Sequence, residues 1–247
     1  MRIKGFIFFL LVSTFAFAQE GLISDRPGQT FSSQVLNKGS VQYQQGFEWR
    51  DFYSRFGDGP ILVEQRELSA DASLRFGLGS NIEAGIAYKY LGRNNPILND
   101  DFTAESGDPT LMLRAALPGS SERFSWAFIV QSSFSNLDYR LSASLNDGPW
   151  GVSANLGLYH DEFTDYSAQW TVLLSYTLPK YSIFAEVYGL SLNSANRDYL
   201  AFDAGFNFLI SPRFAWDIYV GNQIGTGPAV GLFTNYFVNT GFSWRIR

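Results

Sequence analysis

Along almost the whole chain large apolar residues fall on every second position, with polar or small residues in the gaps. A β-strand imposes that period, because successive side chains point to opposite faces. Val41, Tyr43, Phe47 and Trp49 alternate with Gln42, Gln44, Glu48 and Arg50. Leu68, Ala70, Ala72, Leu74 and Phe76 do the same against Glu67, Ser69, Asp71, Ser73 and Arg75. Ile82, Ala84, Ile86, Tyr88 and Tyr90 oppose Glu83, Gly85, Ala87 and Lys89. The pattern recurs over 107–117, 125–131, 139–145, 152–158, 169–177, 181–192, 200–208, 214–221 and 236–246, for an even total of about twelve segments. Only 181–192 is irregular, because Phe184 and Tyr188 share a face with Glu186. Helical periodicity is hard to find, so the chain reads as all-β.

The connections sort by parity. Residues 77–81, 118–123, 146–149, 179–180 and 211–212 are tight and rich in turn formers. Between them 51–60, 91–106, 161–167, 193–198 and 224–229 are longer, polar or glycine-rich, and only 136–138 is short. Such sorting belongs to an outer-membrane barrel, with its short turns in the periplasm. The polar face carries Glu48, Asp71, Arg75, Glu83, Lys89, Asp108, Arg114, Glu186, Asp203, Asp217 and Arg245. Turned inward, the opposite face would overfill a soluble barrel. Turned outward, it makes the apolar band of roughly 25 Å that lipid requires, and most segments reach the ~9–11 residues of a tilted span. Tyr88, Tyr90, Trp126, Phe214 and Trp244 fall near segment ends, where amphipathic rings suit the headgroup region. The expected fold is a transmembrane antiparallel up-and-down β-barrel of about twelve strands. Asp71, Arg75, Glu83, Arg114, Glu186, Asp203 and Asp217 are its candidate pore-lining residues.

Residues 1–18 read as a cleaved signal peptide: Arg2 and Lys4 precede a short apolar run, and Ala16-Phe17-Ala18 places cleavage before Gln19. Residues 19–37 are expected as a periplasmic segment or a plug folded into the lumen, where Asp25, Arg26 and Pro27 supply two charges and a stiff turn. Residues 38–247 form the barrel. Localisation follows as the Gram-negative outer membrane, with its lipid and lipopolysaccharide as partners. There is no cysteine, and removing Arg2 and Lys4 makes the net charge more negative than −5, which leaves no basic footprint for nucleic acid.

No cofactor or metal site is expected. His160, the only histidine, points by parity toward the headgroups. A lipid-modifying enzyme would need it beside a serine nucleophile such as Ser153 or Ser167, and no His-x-Ser spacing occurs. The acidic stretches Asn99-Asp100-Asp101 and Asp161-Glu162, with Asp165, read as solvated loops or sites bridged by counter-ions rather than as Ca²⁺ ligands. The glycine pair at Gly225 and Gly227 precedes no helix, so it is not a phosphate cradle.

At the C-terminus Asn239, Gly241, Trp244 and Ile246 fit the polar-x-Gly-x-x-aromatic-x-hydrophobic spacing read by barrel-assembly machinery, although Ile246 then Arg247 replace the usual terminal aromatic. ISDRPGQT (23–30), LNKGSVQYQQGFEW (36–49), LRFGLGSNIEAGIAYKY (74–90), SGDPTLMLRAAL (106–117), FAEVYG (184–189) and VNTGFSWRI (238–246) follow one another along the chain. In that order they resemble bacterial proteins described as the outer-membrane component of the MetA pathway of phenol degradation, or as transporters. The resemblance implies a barrel of about twelve strands with a transport role and no catalytic residues. The expected function is a passive outer-membrane channel for small molecules, with an apolar or aromatic substrate class drawn from the resemblance alone. The alternatives are a non-conducting structural or adhesive barrel acting through loops 91–106 and 224–229, and the lipid-modifying enzyme that depends on His160.

Overall fold

A computed structural model describes residues 22, 24–26, 28–54, 62–94, 102–161, 164–192, 199–227 and 231–247. The signal peptide expected over 1–18, the acidic run 99–101 and Glu162 lie outside the described residues. Thirteen strands follow in order: β1 (Val41–Ser54), β2 (Leu62–Gly77), β3 (Ile82–Asn94), β4 (Thr103–Ser106), β5 (Thr110–Ala116), β6 (Phe124–Ser132) and β7 (Asn136–Asp147). Then come β8 (Trp150–Asp161), β9 (Thr164–Thr177), β10 (Tyr181–Leu192), β11 (Tyr199–Ser211), β12 (Phe214–Gly227) and β13 (Gly231–Arg245). No helix among the described residues is long and apolar enough to cross a membrane, which says nothing of a crossing by strands.

Every pairing is antiparallel, and β1 closes on β13 with Gln42 opposite Arg245 and Ser54 opposite Phe233. β4 and β5 both pair with β3 and share one position in the wall. The break between them holds Pro109, which has no N–H to continue a ladder. The result is a closed barrel of 12 strand positions.

Exposure follows the alternation. Leu156, Leu111, Tyr236, Phe202 and Phe47 are exposed on the outer face. The buried interior is polar: the largest fully buried side chains include Arg75 at 1% and Arg114 at 0% exposure, with Gln42, Glu83, Glu186 and Asp203. A soluble protein has the reverse arrangement. Strand length exceeds what a bilayer needs. The 16 residues of β2 span ~53 Å at ~3.3 Å each, which at a tilt near 40° rises ~40 Å, against an apolar band of ~25 Å.

The surplus lies at the end opposite the C-terminus. There Arg66 pairs with Asp51 at 2.9 Å and Arg93 with Glu67 at 3.0 Å. Residues 51–54, 91–94, 103–106 and 164–167, expected as connections, therefore continue the strands. Residues 136–138 likewise open β7, and the connection there is 133–135. An established ladder extends by backbone hydrogen bonds even where neither face is apolar.

Candidate functional site

Inside the barrel, Ser24 to Leu36 follow the inner wall almost strand by strand. The Leu36 N–H donates to Glu83 on β3 at 2.9 Å, and Arg114 on β5 donates to the Gln34 carbonyl at 3.1 Å. Ser33 shares hydroxyl hydrogen bonds with Ser125 on β6 and Ser144 on β7. The Phe31 N–H donates to Asn155 on β8, and its carbonyl accepts from Ser142 and Asn155. Thr30 bonds Thr171 on β9 and Glu186 on β10, and the Gln29 N–H donates to Glu186 at 2.7 Å. Gly28 has φ near 89°, a conformation that favours glycine, and a Cβ there would also push the Glu186 carboxylate aside. Arg26 reaches Asp217 on β12, Asn239 on β13 and Asp71 on β2. Ser24 closes the circuit on Ser243 and Gln44.

Asp25 turns to the centre, where it meets Arg114 at 2.7 Å and Arg75 at 3.4 Å. Arg75 also grips Glu83 through Nε at 2.6 Å and Nη2 at 2.8 Å. The four groups form a charge-balanced cluster of two guanidinium ions and two carboxylates. Burial alone would push the Asp25 carboxyl up, but Arg114 and Arg75 outweigh it and hold the group below its usual range. Asp25 and Arg26, adjacent in sequence, pair with separate wall groups.

Six of the seven candidate lumen residues bond this segment directly or belong to the cluster it completes. Asp203 is the exception. It faces inward beside Glu186, is 1% exposed, and neither carboxylate oxygen has a hydrogen-bond partner among the described residues. Around it Phe184, Tyr188, Ala201, Tyr219 and Phe237 form an apolar cluster on the inner wall of β10–β13. The irregular strand β10 is thereby explained: Phe184 and Tyr188 pack inside, so they share a face with Glu186.

Of the C-terminal residues, Asn239 and Gly241 face inward and Trp244 and Ile246 outward. Gly241 lies opposite Gly46 across the β1–β13 junction, and a Cβ on either glycine would strike the Arg26 guanidinium. Sequence reasoning assigned no role to Gly46. Its only signal is a small residue within an otherwise polar inward row. His160 lies on the outward face opposite Leu137, whereas Ser153 faces inward and bonds Ser144. Ser167 is buried on the inward face of β9, so histidine and serines are on opposite sides of the wall.

Two cavities flank the segment. One, of about 320 Å³, opens toward the polar strand extensions between Arg50, Asp71, Lys89, Gln131, Phe31 and Tyr219. The other, of about 170 Å³, lies toward the end that carries the C-terminus, between Ser24, Thr30, Ser175, Thr177 and Ser182. Arg26 lines both.

A known structure has the same architecture: an outer-membrane channel from Pseudomonas putida F1, at 12% identity, covers 90% of this chain and 99% of its own with a TM-score of 0.64. The chain shares that channel's fold. KdgM porin aligns at 14% identity over 82% of this chain and 99% of its own, with a TM-score of 0.49. The CymD monoaromatic hydrocarbon channel aligns at 8% identity over 85% and 89%, with a TM-score of 0.47. Neither of these two likenesses carries an argument, and the first carries the fold alone. No protein-family model and no curated protein matches the sequence.

Proposed function

We propose that the chain is an outer-membrane channel for passive entry of small molecules, closed at rest by its own N-terminal segment. The observation that carries this reading is the hydrogen-bonded circuit from Ser24 to Leu36, with a cavity on either side and Arg26 between them. A wall that only needed filling would be served by longer side chains on the strands. Here Gly46, Gly85 and Gly241 keep the inner wall low, and a separate segment occupies the space. The segment is held by hydrogen bonds and ion pairs rather than by an apolar core, so it can exchange those partners for water.

The apolar outer face and the long polar strand ends support an outer-membrane setting, with the chain termini in the periplasm. Outer-membrane lipid, lipopolysaccharide and the barrel-assembly machinery are the partners that follow, the last reading Asn239, Gly241, Trp244 and Ile246. Asp71, Arg75, Glu83, Arg114, Glu186, Asp203 and Asp217 line the path once the segment leaves. The apolar or aromatic substrate class rests on the sequence resemblance.

The non-conducting barrel also has an observation in its favour, the fully buried cluster of Arg75, Glu83 and Arg114. Planar-bilayer conductance separates the two readings. A chain lacking residues 19–37 should conduct well above the full chain, with small aromatics added to test passage. Equal, near-zero conductance from both would leave the structural reading standing and refute the channel.

A further inference from the structure

Arg26 occupies a seat shaped for a flat, forked cation. Its Nε and Nη2 donate side by side to Asp217 at 3.2 and 3.0 Å, its Nη1 donates to Asp71 at 3.4 Å, and Nη2 also reaches Asn239. Gly46 and Gly241 leave room for the guanidinium, since a Cβ on either would run into it. The seat therefore combines two carboxylates, an amide oxygen and a floor of two glycines. An ammonium, a compact point charge with three donors, cannot reproduce the paired donation to Asp217.

The two carboxylates are not equivalent. The Asp217 side chain is 3% exposed, whereas that of Asp71 is 44% exposed and borders the larger cavity. One half of the seat is closed and the other faces arriving solute. Other cations in the cavity do not fill it: Arg50 is held by Glu48 and Gln223, and Lys89, opposite Asp71, forms no ion pair with it among the described residues. Phe31 and Tyr219 line the same cavity and give an apolar body something to lie against.

We propose that the Arg26 seat is a receptor for organic cations with a guanidinium or amidinium head and an apolar or aromatic body. Such a solute displaces Arg26 and so frees the segment. The proposal rests on the channel reading for its opening step, but not for the binding itself. Arg26 is a tethered competitor whose effective concentration is in the millimolar range. Its removal should expose the intrinsic affinity of the seat.

The test uses the full chain in detergent and planar bilayers, with benzamidine as probe, benzylamine as its ammonium counterpart and benzamide as its neutral isostere. Calorimetric titration of Arg26→Gly should show benzamidine binding at least tenfold tighter than to the unaltered chain. Benzylamine and benzamide should bind at least tenfold more weakly than benzamidine. Asp217→Asn in the Arg26→Gly background should abolish the preference. Arg26→Lys, which keeps the charge but not the fork, should bind benzamidine with intermediate affinity and serves if the glycine variant does not fold. In bilayers, millimolar benzamidine should raise the open probability of the unaltered channel. Equal binding of benzylamine and benzamidine, or no gain on removing Arg26, overturns the proposal. A chain lacking residues 19–37 that fails to conduct overturns the channel reading alone, because the calorimetric comparison still judges the seat.

Discussion

Replacing Glu83 by glutamine keeps the shape of the lumen cluster and removes one charge from it. Glu83 is 0% exposed and accepts two hydrogen bonds from Arg75 and one from the Leu36 N–H. Its remaining neighbour is Arg114, at 3.7 Å. After Glu83→Gln, Asp25 is the one carboxylate left to Arg75 and Arg114 among the described residues, which leaves one excess positive charge on guanidinium groups at most 1% exposed. Breaking a buried ion pair from one side costs about 3–5 kcal/mol. Because Asp25 still serves both guanidinium groups, the lower end, about 3 kcal/mol, is expected.

The double variant Arg75→Met, Glu83→Gln restores balance between Arg114 and Asp25. Its loss should fall short of the summed single losses by roughly 2 kcal/mol, within the usual range for directly contacting groups. Urea unfolding in lipid vesicles, followed by tryptophan fluorescence, measures all three losses. A Glu83→Gln loss below about 1 kcal/mol, or strictly additive losses, would refute the account of the cluster as a mutually compensated unit.

Three further outcomes follow. Gly241→Val places a branched side chain against the Gln45 carbonyl and in the space of the Arg26 guanidinium, so subtilisin should cut within 24–36 far faster and conductance should rise; an unchanged cleavage rate would contradict the close fit of Arg26 over Gly241. Asp25, held below its usual value near 3.8 despite the opposing effect of burial, supports docking above that value and loses that support as pH falls through its lower docked value. Protection of the segment from protease should fall as pH drops below about 4, and protection that stays complete down to about pH 2 would contradict the Arg114–Arg75 contacts. On the outer face, Leu156→Arg should cost about 2–4 kcal/mol of folding free energy into vesicles if its position is near the bilayer midplane, and a neutral result would place Leu156 in the headgroup region.

The wall was legible because its physics is periodic. Strands such as β11 write their orientation directly, with Leu200, Phe202, Phe206 and Phe208 outward against Asp203, Gly205 and Asn207. Alternation fails where the interior is itself apolar. Phe184 and Tyr188 obey the same parity as Glu186, and only the closed barrel shows that they pack against Tyr219 and Phe237. It also fails where both faces meet water, which is why strand ends around Asp51, Arg93 and Glu105 looked like loops. The segment from Ser24 to Leu36 has no period at all. Its partners are single groups on strands that lie up to 219 residues away along the chain, and no local pattern encodes such a circuit.

The circuit also measures the barrel. Twelve strands ~4.8 Å apart and tilted ~40° enclose a circumference of ~75 Å, a wall radius of ~12 Å. Allowing ~5 Å for inward side chains leaves a ring of radius ~7 Å, or ~44 Å around. The 13 residues from Ser24 to Leu36 would reach at most ~43 Å at ~3.3 Å each if fully extended. Adding or removing two strands would change that ring by ~12 Å, close to four residues of chain. Because the segment is made before any strand and spans both sides of the β1–β13 junction, it is available as a gauge while the sheet curls. Deleting three residues within 28–34 should leave β10–β12 without their inner partners, visible as faster amide exchange there than on β6–β8.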